Sequence, residues 1–74
     1  MDAQKAQKAI GRNVRRLRKR RGWTVAQLAE AVGVSDGCVD GWEAGRWSPN
    51  AARLGDVARV LGCTPNDLYG VRPE

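Results

Sequence analysis

The sequence predicts an all-α fold, a compact domain of five helices. Apolar residues recur at helical spacing along most of the chain, and no run alternates apolar and polar residues as a strand does. A glycine follows each of the five predicted helices. A residue that favours a helix start precedes each helix except the first. The length of 74 residues allows one domain with a small core. A composition of 42% hydrophobic and 28% charged residues is typical of a globular domain.

The predicted helices follow one another with short connections. They cover residues 4–21, a segment from Thr24 to Gly33, residues 36–44, residues 51–61, and a segment from Pro65 to Gly70. Thr24 and Gln27 fit a capping box, in which each side chain bonds the backbone of the other residue. Ser35 and Asn50 are the predicted N-caps of the third and fourth helices, and Thr64 opens the fifth. The glycines predicted to end the helices are Gly22, Gly33, Gly45, Gly62 and Gly70.

The inward-facing residues of these helices form the predicted core. They are Ile10, Val14, Leu17, Trp23, Leu28, Ala29, Val32, Val34, Val39, Trp42, Leu54, Val57, Ala58, Leu61 and Leu68. Burying one such side chain contributes roughly 1.5–3 kcal/mol. Chain entropy cancels most of that gain, so we expect modest stability.

The composition excludes several classes of site. Histidine is absent, which removes the commonest general base and the commonest zinc ligand. Cys38 and Cys63 are too few to close a metal site, and we expect both to be buried or half-buried without a disulfide. Scattered carboxylates without a nucleophile and its base do not favour catalysis. We therefore expect no enzyme activity, no cofactor and no metal.

The same sequence predicts a cytoplasmic protein that does not enter a membrane. No segment approaches the ~18 consecutive apolar residues of a membrane span. Residues 1–9 also lack the apolar region of a signal peptide.

Positive charge is concentrated in the first third of the chain. Residues 1–22 carry nine basic residues and one acid, whereas residues 23–74 carry four basic residues and seven acids. The net charges of these parts are +8 and −3, which sum to +5. The basic cluster consists of Arg12, Arg15, Arg16, Arg18, Lys19, Arg20 and Arg21. Such a one-sided field attracts a polyanion, with nucleic acid the first candidate and an anionic membrane surface the second.

Two short helices are joined by a turn that has the features of a helix-turn-helix. Ala29 and Gly33 are four residues apart, and Ser35 begins the next helix. A small residue at position 29 lets the two helices approach, and glycine at position 33 accepts a positive φ without strain. The second helix of such a pair fits a major groove about 12 Å wide.

From Ile10 to Leu68 the chain resembles the Cro/lambda-repressor type of helix-turn-helix domain, also called the xenobiotic-response-element type. The Trp-Glu-x-Gly-Arg segment at residues 42–46 is the most specific local match. The other matching residues are Ile10, Gly11, Val14, Leu17, Arg18, Gly22, Trp23, Thr24, Leu28, Ala29, Val32, Gly33, Val34, Ser35, Val39, Pro49, Leu54, Ala58, Leu61, Gly62 and Leu68.

The resemblance implies a lambda-repressor-like fold and a sequence-specific DNA-binding transcriptional regulator. We expect a repressor that binds double-stranded operator DNA as a homodimer, encoded by a bacterium or phage and associated with the nucleoid when bound. The DNA-binding domain would span residues 10–70, with its motif at about residues 25–44. Residues 1–9 would extend the first helix, and residues 71–74 would form a tail.

The resemblance also implies DNA contacts outside the third helix. Thr24 and Val25 occupy the start of the second helix, where family members anchor a phosphate, and Gln27 is a further candidate there. The family usually has Gln where this chain has Val25, so that anchor keeps its backbone donor and loses a side-chain donor. The matching positions in the loop after the third helix are Arg46, Trp47 and Asn50.

Arg18 and Glu43 match a family pair that bridges the first and third helices. We expect this pair to orient the third helix, which is the recognition helix that would enter the major groove, and a direct contact between Arg18 and DNA is the alternative.

The third helix departs most from the family pattern. Its outward face is predicted to contain Asp36, Gly37, Asp40, Gly41 and Ala44, where family members carry long hydrogen-bond donors. Asp36 in the first turn suits the helix dipole. Asp40 would accept a hydrogen bond from a cytosine amine, and the glycines would admit a base edge or a thymine methyl group close to the backbone.

The sequence predicts a dimer surface, and it leaves open an alternative to DNA as the binding partner. Leu68, Tyr69 and Val71 form the predicted dimer surface. The alternative function is a protein-interaction module on the same fold, antitoxin-like or bound to another regulator, with weak or non-specific DNA affinity. In that case the acidic third helix would meet a basic protein partner.

Overall fold

The computed structural model describes residues 3–70, which contain five helices and no strand. The helices are α1 (Ala3–Arg20), α2 (Val25–Val32), α3 (Asp36–Ala44), α4 (Ala51–Leu61) and α5 (Pro65–Tyr69). The predicted all-α architecture is confirmed, and α1 already includes most of the predicted N-terminal extension. Within the described residues, no helix combines the length and hydrophobicity that a membrane span requires. The predicted tail, residues 71–74, lies outside the described range.

Side-chain caps determine where the helices begin. The backbone N–H of Gln27 donates to Thr24 Oγ1 over 3.1 Å, and the N–H of Thr24 donates to Gln27 Oε1 over 2.8 Å. The predicted capping box is therefore present. Ser35, Asn50 and Thr64 cap α3, α4 and α5 through their side-chain oxygens. These local hydrogen bonds explain why the helix starts follow so closely from the sequence.

One face of each helix contributes to a shared core. The buried apolar residues are Ile10, Val14, Leu28, Ala29, Val32, Val39, Trp42, Leu54, Val57, Ala58, Leu61 and Leu68. All of them belong to the predicted core. Leu17, Trp23 and Val34 are only half-buried against this cluster, and Trp23 and Val34 lie in loops.

The turn between α2 and α3 has the predicted geometry. Gly33 has φ 90°, a left-handed conformation that residues with a side chain rarely adopt. The N–H groups of Gly33 and Val34 both donate to the carbonyl oxygen of Ala29, over 2.8 and 2.9 Å. Ala29 is buried beneath the turn. The small residue, the glycine and the Ser35 cap together start α3 immediately after this turn.

Gly11 allows α1 and α3 to cross at close range. A Cβ atom at position 11 would overlap the carbonyl oxygen of Trp42 and would lie 3.0 Å from that of Glu43. Only a residue without a side chain fits against these backbone atoms. The contact holds the C-terminal half of α3 against α1.

Leu68 belongs to the core and not to a dimer surface. Its side chain is 0% exposed, and Asn13 Nδ2 on α1 donates to the carbonyl oxygen of Leu68 over 2.8 Å. The prediction that Leu68 faces a second copy is wrong, because the short helix α5 packs by turning its only aliphatic side chain inward. Tyr69 is exposed, and Val71 lies outside the described residues.

Candidate nucleic-acid interface

The outer face of α3 is acidic and lacks long side chains. Its exposed residues are Asp36, Gly37, Asp40 and Ala44. A Cβ atom added at Gly37 would meet nothing within 4 Å, so the surface there is open. This face offers two carboxylates and the helix backbone to a partner, but no side-chain hydrogen-bond donor.

Gly41 does not belong to that exposed face. Trp47, in the loop after α3, packs on Gly41 so closely that a Cβ atom there would overlap Cζ2 and Cε2 of the indole. Gly41 is buried as a result, while Trp47 remains 44% exposed. The prediction that Gly41 faces outward is wrong. Helical periodicity places position 41 beside the exposed face, but it does not reveal that a loop residue covers that position.

Arg18 and Glu43 form a bidentate ion pair between α1 and α3. Arg18 Nε donates to Glu43 Oε2 over 2.7 Å, and Nη2 donates to Oε1 over 2.9 Å. Arg18 Nη1 also donates to the carbonyl oxygen of Trp23 over 2.7 Å. The hydrogen bond with Glu43 raises the pKa of Arg18, whereas burial acts in the opposite direction.

The predicted ion pair between α1 and α3 is therefore present, and its role in orienting α3 stays a prediction. The alternative role of Arg18 as a DNA contact is contradicted, because the residue is 8% exposed and its donors are engaged inside the protein.

The first turn of α2 presents backbone donors at the surface. Thr24 and Gln27 are exposed, and Val25 is half-buried against the core. The N–H groups of Val25 and Ala26 lie in the first turn, where no helical carbonyl four residues earlier can accept them, so they have no partner within the helix. Free N–H groups at a helix start attract phosphate oxygens. Val25 can therefore contribute its backbone donor, while the amide oxygen of Gln27 is occupied by the cap.

The loop between α3 and α4 places Arg46, Trp47 and Asn50 at the surface. Asn50 Oδ1 accepts the backbone N–H of Arg53 over 2.9 Å, so its first role is to cap α4. The guanidinium of Arg46 makes no hydrogen bond or ion pair with the described residues. Arg46 is thus available to bind an anion beside the end of α3.

Basic side chains surround most of α1. Arg12, Arg15, Arg16, Lys19, Arg20 and Arg21 are exposed, which leaves Arg18 as the buried member of the predicted cluster. Arg12, Arg16 and Arg20 line a groove of about 820 Å³ between α1 and α5. No α3 residue lines this groove. The basic surface therefore extends well beyond the surroundings of α3.

The described residues do not assemble a cluster of metal ligands. No group of three potential metal-ligating side chains occurs among them. Cys38 and Cys63 are half-buried and unpaired, as predicted. Burial raises the pKa of the Cys63 thiol, the carboxylate of Asp67 raises it further, and Arg16 opposes them. A raised pKa makes Cys63 a weak nucleophile at neutral pH.

Comparison with known proteins identifies the family. A family model described as a helix-turn-helix domain matches residues 9–69. The chain belongs to the helix-turn-helix domain family. The P22 c2 repressor, solved in complex with a synthetic operator, matches this helix-turn-helix domain with a TM-score of 0.77 and 32% identity. The match covers 80% of this chain and 89% of that chain. The predicted lambda-repressor-like fold is confirmed.

Two sequence relatives carry names of transcriptional regulators. The helix-turn-helix domain is 37% identical over 60 residues to the competence pilus inhibition repressor of Acinetobacter baylyi. The alignment covers 81% of this chain but 54% of that repressor, so the chain spans about half of its length. It is also 36% identical over 58 residues to the HTH-type transcriptional regulator YazB of Bacillus subtilis, which covers 78% of this chain and 84% of that protein. These findings place the domain in a family of DNA-binding transcriptional regulators.

Sequence reasoning missed two contacts that shape the surface of this helix-turn-helix domain. One is the packing of Trp47 on Gly41, and the other is the approach of Gly11 to α3. A glycine inside each helix was the available signal, since glycine there weakens a helix unless close packing requires it. The identity of the packing partner depended on the tertiary structure.

Proposed function

We propose that this domain represses transcription by placing α3 in the major groove of an operator. The observation that carries the proposal is the exposed outer face of α3, held against α1 by the buried pair of Arg18 and Glu43. A recognition helix must project from the domain in a fixed orientation to contact base edges. The similarity to a repressor solved with operator DNA supports the same docking.

Phosphate contacts would position the domain on the duplex. The free N–H groups at the start of α2 suit backbone phosphates, and so does the guanidinium of Arg46, which pairs with none of the residues that the structure describes. The exposed arginines of α1 would add attraction that does not depend on sequence. The carboxylates on the outer face of α3 oppose that attraction. We therefore infer that the domain binds only duplexes whose base edges compensate for this repulsion.

Salt-dependent binding to duplex DNA tests the proposal. Fluorescence anisotropy would compare a random duplex with one selected from a random pool, at several salt concentrations. We expect the selected duplex to bind more tightly, and both affinities to fall at least tenfold between roughly 50 and 200 mM salt, as for a few phosphate contacts. Absence of binding to any duplex in dilute buffer would overturn the proposal.

Replacing Asp40 tests whether its carboxylate contacts a base. Asp40 is exposed on the outer face of α3, where it would accept a hydrogen bond from the cytosine N4 amine. We expect Asp40→Ala to relax the preference at one C·G pair by about tenfold, the lower part of the range for a good base contact. Selection from a random pool measures this preference, with Glu30→Ala on α2 as the control. An unchanged preference at every position would remove this role from Asp40.

We further propose that two copies bind adjacent half-sites about 34 Å apart. Tyr69 is the predicted dimer residue that is both described and exposed, at 47%. We expect Tyr69→Glu to weaken self-association at least tenfold in sedimentation velocity without loss of helical circular dichroism. A dimer that tolerates this substitution would place the contact elsewhere.

A second candidate function is a protein-interaction module. The observation that favours it is the outer face of α3, where Asp36 and Asp40 supply the only side-chain charges among the exposed residues of that helix. A basic surface on a protein partner would complement these carboxylates. Failure to bind DNA, together with a protein complex weakened by Asp36→Asn and Asp40→Asn, would favour this function over repression.

A further inference from the structure

Trp47 fills the space that a side chain at position 41 would otherwise occupy. The six-membered ring of the indole lies against the backbone of Gly41, and any Cβ atom there would overlap it. Trp47 belongs to the loop after α3, so its contact with the middle of α3 is a tertiary contact. The indole thereby becomes part of the surface of the recognition helix.

The position of Gly41 places this ring next to the outer face of α3. Residues three and four apart are neighbours on a helix surface, and the neighbours of position 41 on that face are Gly37 and Ala44. Both are exposed and small. The indole therefore stands beside the least bulky part of α3, with 44% of Trp47 exposed.

We propose that Trp47 determines sequence specificity by contacting the C5-methyl group of a thymine in the major groove. This inference rests on the proposed DNA-binding function. The indole takes the role that a side chain from the middle of α3 would have, since Gly41 has none.

The chemistry of the surface favours this ligand group. Base edges in the major groove present polar atoms and one apolar group, the thymine methyl. The outer face of α3 has no side-chain donor to contact guanine or adenine. An exposed aromatic ring complements an apolar group. The indole also packs closely on Gly41 before binding. Little side-chain entropy is therefore lost when the domain associates with DNA.

Removing single thymine methyl groups tests the contact. In a selected duplex, each thymidine would be replaced in turn by deoxyuridine, which lacks only the methyl group. We expect the unaltered protein to lose about fourfold in affinity at one position per half-site, the fold-change expected when one buried methyl group is lost. Trp47→Ala is expected to bind that thymidine duplex and its deoxyuridine counterpart equally.

Two glycine variants separate this role from the general effect of an added methyl group. Gly41→Ala places a methyl group where the ring lies, whereas Gly55→Ala adds the same group in open space on α4. We expect Gly41→Ala to lose the deoxyuridine effect and Gly55→Ala to retain it. Circular dichroism would verify folding, and Trp47→Phe provides a smaller aromatic ring if Trp47→Ala does not fold.

The outcomes distinguish this inference from the function on which it rests. If the unaltered protein prefers a selected duplex but no deoxyuridine replacement weakens binding, the Trp47 contact is wrong and DNA binding stands. Retention of the deoxyuridine effect in Trp47→Ala leads to the same conclusion. If the unaltered protein binds no duplex, the proposed function itself fails.

Discussion

Glu43→Ala is expected to destabilise the domain by about 3–5 kcal/mol, the cost of removing one partner from a buried ion pair. The guanidinium of Arg18 would remain nine-tenths buried without its carboxylate, at a side-chain exposure of 10%. A domain of this size is stable by roughly 5–10 kcal/mol, so the loss is a large fraction of the total. Urea unfolding followed by circular dichroism measures the change.

Several controls isolate the contribution of that ion pair. Glu30→Ala removes an exposed carboxylate from α2 and is expected to change stability by less than about 0.5 kcal/mol. Replacing both Arg18 and Glu43 by Met and Leu should recover part of the loss, because no buried charge is left unpaired. If Glu43→Ala unfolds completely, Glu43→Gln preserves one acceptor for comparison. Equal unfolding midpoints for Glu43→Ala and Glu30→Ala would contradict this account.

Gly11→Ala is expected to destabilise the domain by about 3 kcal/mol, at the upper end of the usual cost of overpacking. The added methyl group would overlap the carbonyl oxygen of Trp42. A backbone atom inside a packed helix cannot move aside as the end of a flexible side chain can. Relief therefore requires α1 and α3 to separate, which would also displace the exposed face of α3.

Gly55→Ala is the matched control for that substitution. Gly55 lies inside α4, and a Cβ atom there would meet nothing within 4 Å. Since alanine is a better helix former, we expect this variant to gain about 0.8–1.0 kcal/mol. Thermal and urea unfolding of the two variants should therefore move in opposite directions. If Gly11→Ala is also stabilised, the close crossing of α1 and α3 is incorrect.

Residues close together in the sequence determined the helices and most of the core. Thr24 caps α2 by bonding Gln27 three residues away, and Gly33 ends the same helix with a left-handed conformation. Such signals need no knowledge of the rest of the chain, because the interacting atoms lie within one turn. The spacing of Leu28, Ala29 and Val32 likewise identified the buried face of α2.

The family resemblance extended the prediction to one long-range contact. Arg18 and Glu43 are 25 residues apart, and their bidentate pair was expected because both residues match family positions. Periodicity alone would have assigned Arg18 to a solvated basic face together with its exposed neighbours. The burial of its guanidinium follows from the closeness of α1 and α3, which the sequence pattern did not contain.

The sequence by itself thus determined where each helix begins and ends, which faces are apolar, and the family to which the domain is similar. The tertiary structure alone decided that Leu68 turns inward, that Gly11 meets the backbone of α3, and that Trp47 covers Gly41. The physical reason is distance along the chain. A cap or an apolar stripe is set by neighbouring residues, whereas the surface of α3 depends on which remote side chain packs against it.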